Sequence, residues 1–134
     1  MRIANHLMFL TLPLMISAPA QAIAGEDGSW SCRNTAFEIT CAEGACKAAE
    51  EHTPMDVHVS KDEISWCAYS GCWTGVPSAS VTSGSFLAFY GFVQREGSAM
   101  ADGVDVAVTI DTVSNGASIM AAGIFTTPAT CAPG

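Results

Sequence analysis

The chain has 134 residues, which is one domain's worth, and a formal net charge of −8 with only five Lys and Arg. A second catalytic domain has no room at that length, and so few cations cannot neutralise a row of phosphates, so nucleic-acid binding is disfavoured. A hydrophobic content of 49 % with 8 % aromatic residues is too high for a disordered tail, so the chain is expected to fold.

Residues 1–22 read as a signal peptide. Arg2 supplies a positive start, residues 3–16 carry no charge and many large apolar side chains, and Ala20-x-Ala22 fits the small-residue cleavage pattern. The apolar run is too short to cross a bilayer and is interrupted by Pro13 and followed by Pro19, so cleavage after Ala22 is expected rather than an anchor. Residues 23–134 then form a single mature domain of net charge −9, because cleavage takes away Arg2 and no acid. Its cations are Arg33, Lys47, Lys61 and Arg95, so a basic partner suits it better than a nucleic acid or an anionic membrane. The localisation expected is periplasmic or secreted, with no membrane span in the mature form.

All six cysteines, Cys32, Cys41, Cys46, Cys67, Cys72 and Cys131, follow the leader. An even count in an exported chain predicts three disulfides. Cys41 and Cys46 enclose four residues including a Gly, and so do Cys67 and Cys72. A turn in so short a loop can bring the two alpha carbons within bonding reach, which suggests Cys41 with Cys46, Cys67 with Cys72, and by remainder Cys32 with Cys131. That is one of about 15 pairings open to six cysteines. Zinc held by four thiolates is the rival reading, disfavoured by an oxidising compartment.

In chain order, residues 36–41 read as a strand, and residues 44–52, rich in alanine, as the one helical turn, ended by Thr53-Pro54. Met55, Val57 and Val59 alternate with Asp56, His58 and Ser60, a half-buried strand with the histidine on the wet face. Residues 64–73 should pair back onto it, with a break at Ser70-Gly71. Residues 75–84 read as a loop. The run Phe86-Leu87-Ala88-Phe89-Tyr90-Gly91-Phe92-Val93 is apolar on both faces, which predicts a strand covered on both sides or set in a curved, closed part of the sheet. Residues 94–103 read as a polar connection. Val104, Val106, Val108 and Ile110 alternate with polar neighbours and meet Asn115-Gly116, read as a two-residue turn that sets Ile110 opposite Ala121 and Val106 opposite Phe125. The fold class expected is all-β, an antiparallel sandwich or small barrel of about seven strands stabilised by three disulfides, with at most one short helix. An α+β domain with a helix over residues 42–53 is the alternative.

No phosphate-binding glycine loop, zincin helix or nucleophile elbow is present, and six paired cysteines leave no thiolate, so no catalytic residue and no cofactor is assigned. His52, His58 and Asp56, with Glu50, Glu51 and Met55 nearby, are the densest set of metal donors, against the blander reading of a solvated acidic turn. Trp66, Tyr69 and Trp73 are candidates for stacking on a partner. Trp66 and Trp73 are an odd number apart, which puts them on opposite faces of an uninterrupted strand, an inference that a bulge at Ser70-Gly71 would reverse.

A signal peptide, Trp30-x-Cys32, the run Ser70-Gly71-Cys72-Trp73 and a final Thr127-Pro128-x-x-Cys131 together resemble small exported cysteine-rich proteins of Gram-negative bacteria, a likeness that brings no activity with it. Ser83-Gly84-Ser85 is also distantly similar, at the level of architecture, to the Ser-Gly binding loop of the periplasmic C-type lysozyme inhibitors. That likeness adds Ser83 and Gly84 as partner-binding candidates. It also suits an acidic chain, since lysozymes are basic. The function expected is an exported, non-enzymatic binding or inhibitor-type module, its partner a protein or small molecule. A periplasmic metal-binding protein is the first alternative, and a structural envelope-associated protein the second.

Overall fold

The computed structural model describes residues 28–95, 97 and 103–134. The leader read at residues 1–22 lies outside them. All regular structure among the described residues is β, in eleven strands: β1 (Trp30–Asn34), β2 (Ile39–Ala42), β3 (Ala45–Ala48), β4 (Asp56–Val59), β5 (Ile64–Ala68), β6 (Gly71–Gly75), β7 (Pro77–Ser83), β8 (Phe86–Arg95), β9 (Gly103–Asp111), β10 (Gly116–Ala121) and β11 (Phe125–Pro133).

From β4 to β11 successive strands pair antiparallel, except that β6 and β7 both pair with β8, and β1 closes the circle by pairing with both β4 and β11. β6 and β7 run one after the other along β8, with a bulge at Ser78, so they share one position and the barrel has eight. Closure of this kind removes most of the exposed strand edges. β2 and β3 form a hairpin outside the circle, joined to β11 where Thr126 faces Ile39.

Alternation in the sequence becomes inside and outside in the barrel. Trp30, Cys32, Val57, Val59, Ile64, Trp66, Phe89, Val93, Val106, Val108, Ile110, Ile119, Ala121, Ala129 and Cys131 are buried together. Two buried polar side chains are satisfied there. Asn34 donates to the Thr53 carbonyl at 2.8 Å and accepts from the Met55 N–H at 2.9 Å, which pins the segment entering β4. Thr127 donates to the Phe37 carbonyl at 3.0 Å, which ties the segment leading into β2.

The disulfides join Cys32 with Cys131, Cys41 with Cys46, and Cys67 with Cys72. In each, the two cysteines are directly opposed in neighbouring strands. No thiolate is left for zinc among the described residues.

Several local expectations are corrected. The alanine-rich segment is not helical: Ala45–Ala48 is β3, because Glu43 and Gly44 both adopt positive φ and close a tight hairpin that sets Cys41 against Cys46. Propensity gives way to the crosslink. The segment 75–84 is largely strand, since Val81 and Thr82 favour extended backbone and β8 offers a partner edge. Gly75 allows the close crossing there, as a Cβ on it would fall 2.1 Å from the Phe92 carbonyl oxygen. Of the two readings of residues 86–93 the curved, closed one holds: Phe89 and Val93 fill the barrel while Phe86, Tyr90 and Phe92 stand exposed outside.

The β9–β10 hairpin has its inward residues as expected but a different register, with Ile110 opposite Ala117 and Val106 opposite Ala121. The turn is longer than Asn115-Gly116. Asp111 organises it, accepting from the Val113 N–H at 3.0 Å and the Ser114 hydroxyl at 2.7 Å, while its carbonyl accepts from the Asn115 N–H at 2.8 Å. These bonds draw the Asp111 carboxyl below its ordinary pKa, the Ser114 hydroxyl foremost. Phe125 belongs to the next strand, beyond a turn in which Gly123 takes positive φ.

Candidate binding site at the aromatic mouth of the barrel

Where residues 64–73 were read as one interrupted strand, the chain folds back at Tyr69-Ser70 and makes the β5–β6 hairpin. Cys67 faces Cys72 and Trp66 faces Trp73, so the two indoles lie on the same, inner face, a correction to the expectation of opposite faces. They stack with ring centroids 4.9 Å apart and planes 24° apart, and Phe125 meets Trp66 edge-on at 5.5 Å.

Trp66, Trp73, Val104 and Ile124, with the Gly103 backbone, line a cavity of about 250 Å³ at this end of the barrel. The Trp66 indole N–H is buried without an acceptor among the described residues. Arg95 sits at the rim with its guanidinium carbon 5.7 Å from the Trp73 ring, and it donates to the Ser70 carbonyl. A cation therefore stands beside an apolar, aromatic recess. Tyr69, 81 % exposed, projects from the tip of the same hairpin. Trp66 and Trp73 are thus brought together, whereas Tyr69 stands outside the cavity lining.

Ser83 and Gly84 are not brought to that site. They form the β7–β8 turn, and the continuous run of β6 and β7 separates them from Gly71 by the length of the barrel wall. The metal-donor set is not assembled either. Asp56 is taken by Arg33 in an ion pair at 2.6 Å, and His58 lies 3.4 Å from the Ser31 hydroxyl, each facing its partner across β4 and β1. His52 belongs to the segment before β4. Among the described residues no group of three or more His, Cys, Asp or Glu is placed to hold a metal ion.

Arg95, Val104, Ile124 and Phe125 belong to the mouth and escaped the sequence reading, because three distant chain segments meet there. The only advance signal was Arg95 itself, one of four Lys and Arg residues after position 22. Fold and site together define an eight-stranded up-and-down antiparallel barrel, bridged by three disulfides and carrying an aromatic recess at one end. No protein family, curated protein or solved structure matches the chain.

Proposed function

We propose that this is an exported binding module that works without catalysis and takes one apolar, ring-sized group into the mouth formed by Trp66, Trp73, Val104 and Ile124. The observation that carries the reading is the cavity of about 250 Å³ against the stacked indoles. Pockets for drug-sized ligands run from roughly 300 to 1,000 Å³, so this volume selects a single ring or one apolar side chain of a protein partner. The described lining, two indoles with Val104, Ile124 and the Gly103 backbone, suits contact and stacking with an apolar ring. Three disulfides suit an oxidising compartment and, with the leader read at residues 1–22, favour the periplasm or the exterior.

The test is titration of the disulfide-intact protein with indole and with p-cresol, followed by NMR of the tryptophan side-chain N–H resonances. Saturable shifts of Trp66 and Trp73, abolished by Val104→Phe, are expected, because the larger side chain fills the recess. Shifts that rise linearly to the solubility limit, or that survive Val104→Phe, overturn the reading.

A further inference from the structure

The inner row of β8 ends in a cation. Phe89, Gly91 and Val93 are buried while Tyr90, Phe92 and Gln94 are exposed, so alternation carries Arg95 onto the inward row, beyond Val93 and at the mouth of the barrel. Strand order then fixes where its charge stands. β8 lies between β6 and β9, with Trp73 opposite Arg95 on one side and Gly103 opposite Gln94 on the other. Trp73 and Gly103 both line the cavity, so the guanidinium rises from the strand between two parts of its wall.

The side chain is positioned before any ligand arrives. It donates to the Ser70 carbonyl, its guanidinium carbon lies 5.7 Å from the centre of the Trp73 ring, and a Cβ on Gly71 would fall 3.4 Å from its Nε. Arg95 therefore lies across the β5–β6 turn, where Gly71 leaves it room. A guanidinium offers about five N–H donors in a planar fork, and the Ser70 carbonyl takes one of them. Other cations of the chain are differently engaged: Arg33 is paired with Asp56, and Lys61 stands 3.6 Å from Asp62. Among the described residues the partners of Arg95 are a carbonyl and an aromatic face, and Glu96 and Asp102 lie outside those residues.

We propose that the ring taken into the mouth carries a carboxylate, held at the rim by Arg95, so that the ligand class is a small aromatic carboxylate. This rests on the binding mouth proposed above. The recess has room for one ring beside the stacked indoles, and an acid group on a short arm of that ring must point outward, because burying it in an apolar wall is costly. At the rim it meets a planar fork whose geometry matches a carboxylate. Net charge acts in the opposite sense, since a chain of −8 attracts cations at long range. The sign of the preferred ligand therefore tells whether the local guanidinium or the overall charge governs the site. A free aryl acid and the C-terminal aromatic residue of a peptide share this chemistry.

Titration of the disulfide-intact protein with indole, indole-3-acetate and tryptamine, followed by the tryptophan side-chain N–H resonances, compares one ring in neutral, anionic and cationic form. Indole-3-acetate should bind about tenfold more tightly than indole, a modest gain for a charged hydrogen bond because the rim is solvated, and tryptamine should bind most weakly. Arg95→Gln should collapse that preference and Arg95→Lys should keep part of it, each with an unchanged circular dichroism spectrum. N-acetyl-tryptophan separates the two sources: tighter binding than indole-3-acetate assigns the carboxylate to a peptide terminus, weaker binding to a free acid. Indole that saturates while indole-3-acetate binds no more tightly, the result if Glu96 or Asp102 already occupies the guanidinium, overturns the carboxylate and leaves the mouth standing. So does a preference that persists in Arg95→Gln, or tryptamine as the tightest ligand. Saturation by none of the three overturns both this inference and the binding mouth on which it rests.

Discussion

Asp111 closes β9 at the surface, and its carboxylate is held by the Ser114 hydroxyl and the Val113 N–H. Those bonds favour the charged form, so the folded-state pKa lies below the unfolded one. The sign follows from linkage: the contribution to stability is complete above the ordinary carboxylate range and is lost as pH falls through the lowered folded value. Thermal unfolding followed from neutral pH into strong acid should therefore show a steeper decline for the wild type than for Asp111→Asn, whose amide does not titrate. Equal slopes would show that the turn does not depend on the carboxylate. The Arg33–Asp56 pair is a contrasting case, since both side chains are mostly exposed and such pairs contribute little.

At the scale of elements, short hairpins carry the local information, and two of them are crosslinked across their ends. In β5–β6 the Cys67–Cys72 bond sits one pair beyond Trp66 and Trp73, so it holds the stacked indoles in register. With a sequence separation of 5 the loop it closes is short, and chain-entropy reasoning assigns it about 2 kcal/mol. Denaturant unfolding of the Cys67→Ser/Cys72→Ser double variant should show a loss of about that size. A loss several times larger would mean that the bond supports packing well beyond its hairpin.

At the scale of the whole molecule, closure is the central event. Cys32 and Cys131 are 99 residues apart and face each other across β1 and β11, the two strands whose pairing seals the barrel. The same reasoning assigns a loop of that length about 4.7 kcal/mol, so Cys32→Ser/Cys131→Ser should lose more than twice the stability that the hairpin variant loses. That is a large share of a small domain's total of roughly 5 to 15 kcal/mol. The ranking reverses if β1 and β11 stay closely associated in the unfolded ensemble, which the same unfolding series would reveal. Closure also accounts for the double character of β8: Phe89 and Val93 are interior residues of a curved wall, while Phe86, Tyr90 and Phe92 are exposed on its outer face.

Composition, cysteine spacing and period-two alternation suffice for the all-β class, the disulfide partners and most of the inward residues, including Val57, Val59, Val106, Val108 and Ile110. These are local or pairwise properties that a chain states directly. Registers and turns were legible only in part. An Asn-Gly pair predicts a tight turn, but the Asp111 side chain made a longer one more favourable. An alanine run predicts helix, but a crosslinked hairpin overrode a propensity worth only a few tenths of a kcal/mol per residue. The site was half legible: Trp66, Tyr69 and Trp73 stood out as aromatics beside a cysteine pair, whereas Arg95, Val104, Ile124 and Phe125 did not. Only the tertiary structure decided which ends of the strands meet, because barrel closure brings together segments whose separation in sequence carries no signal of their nearness.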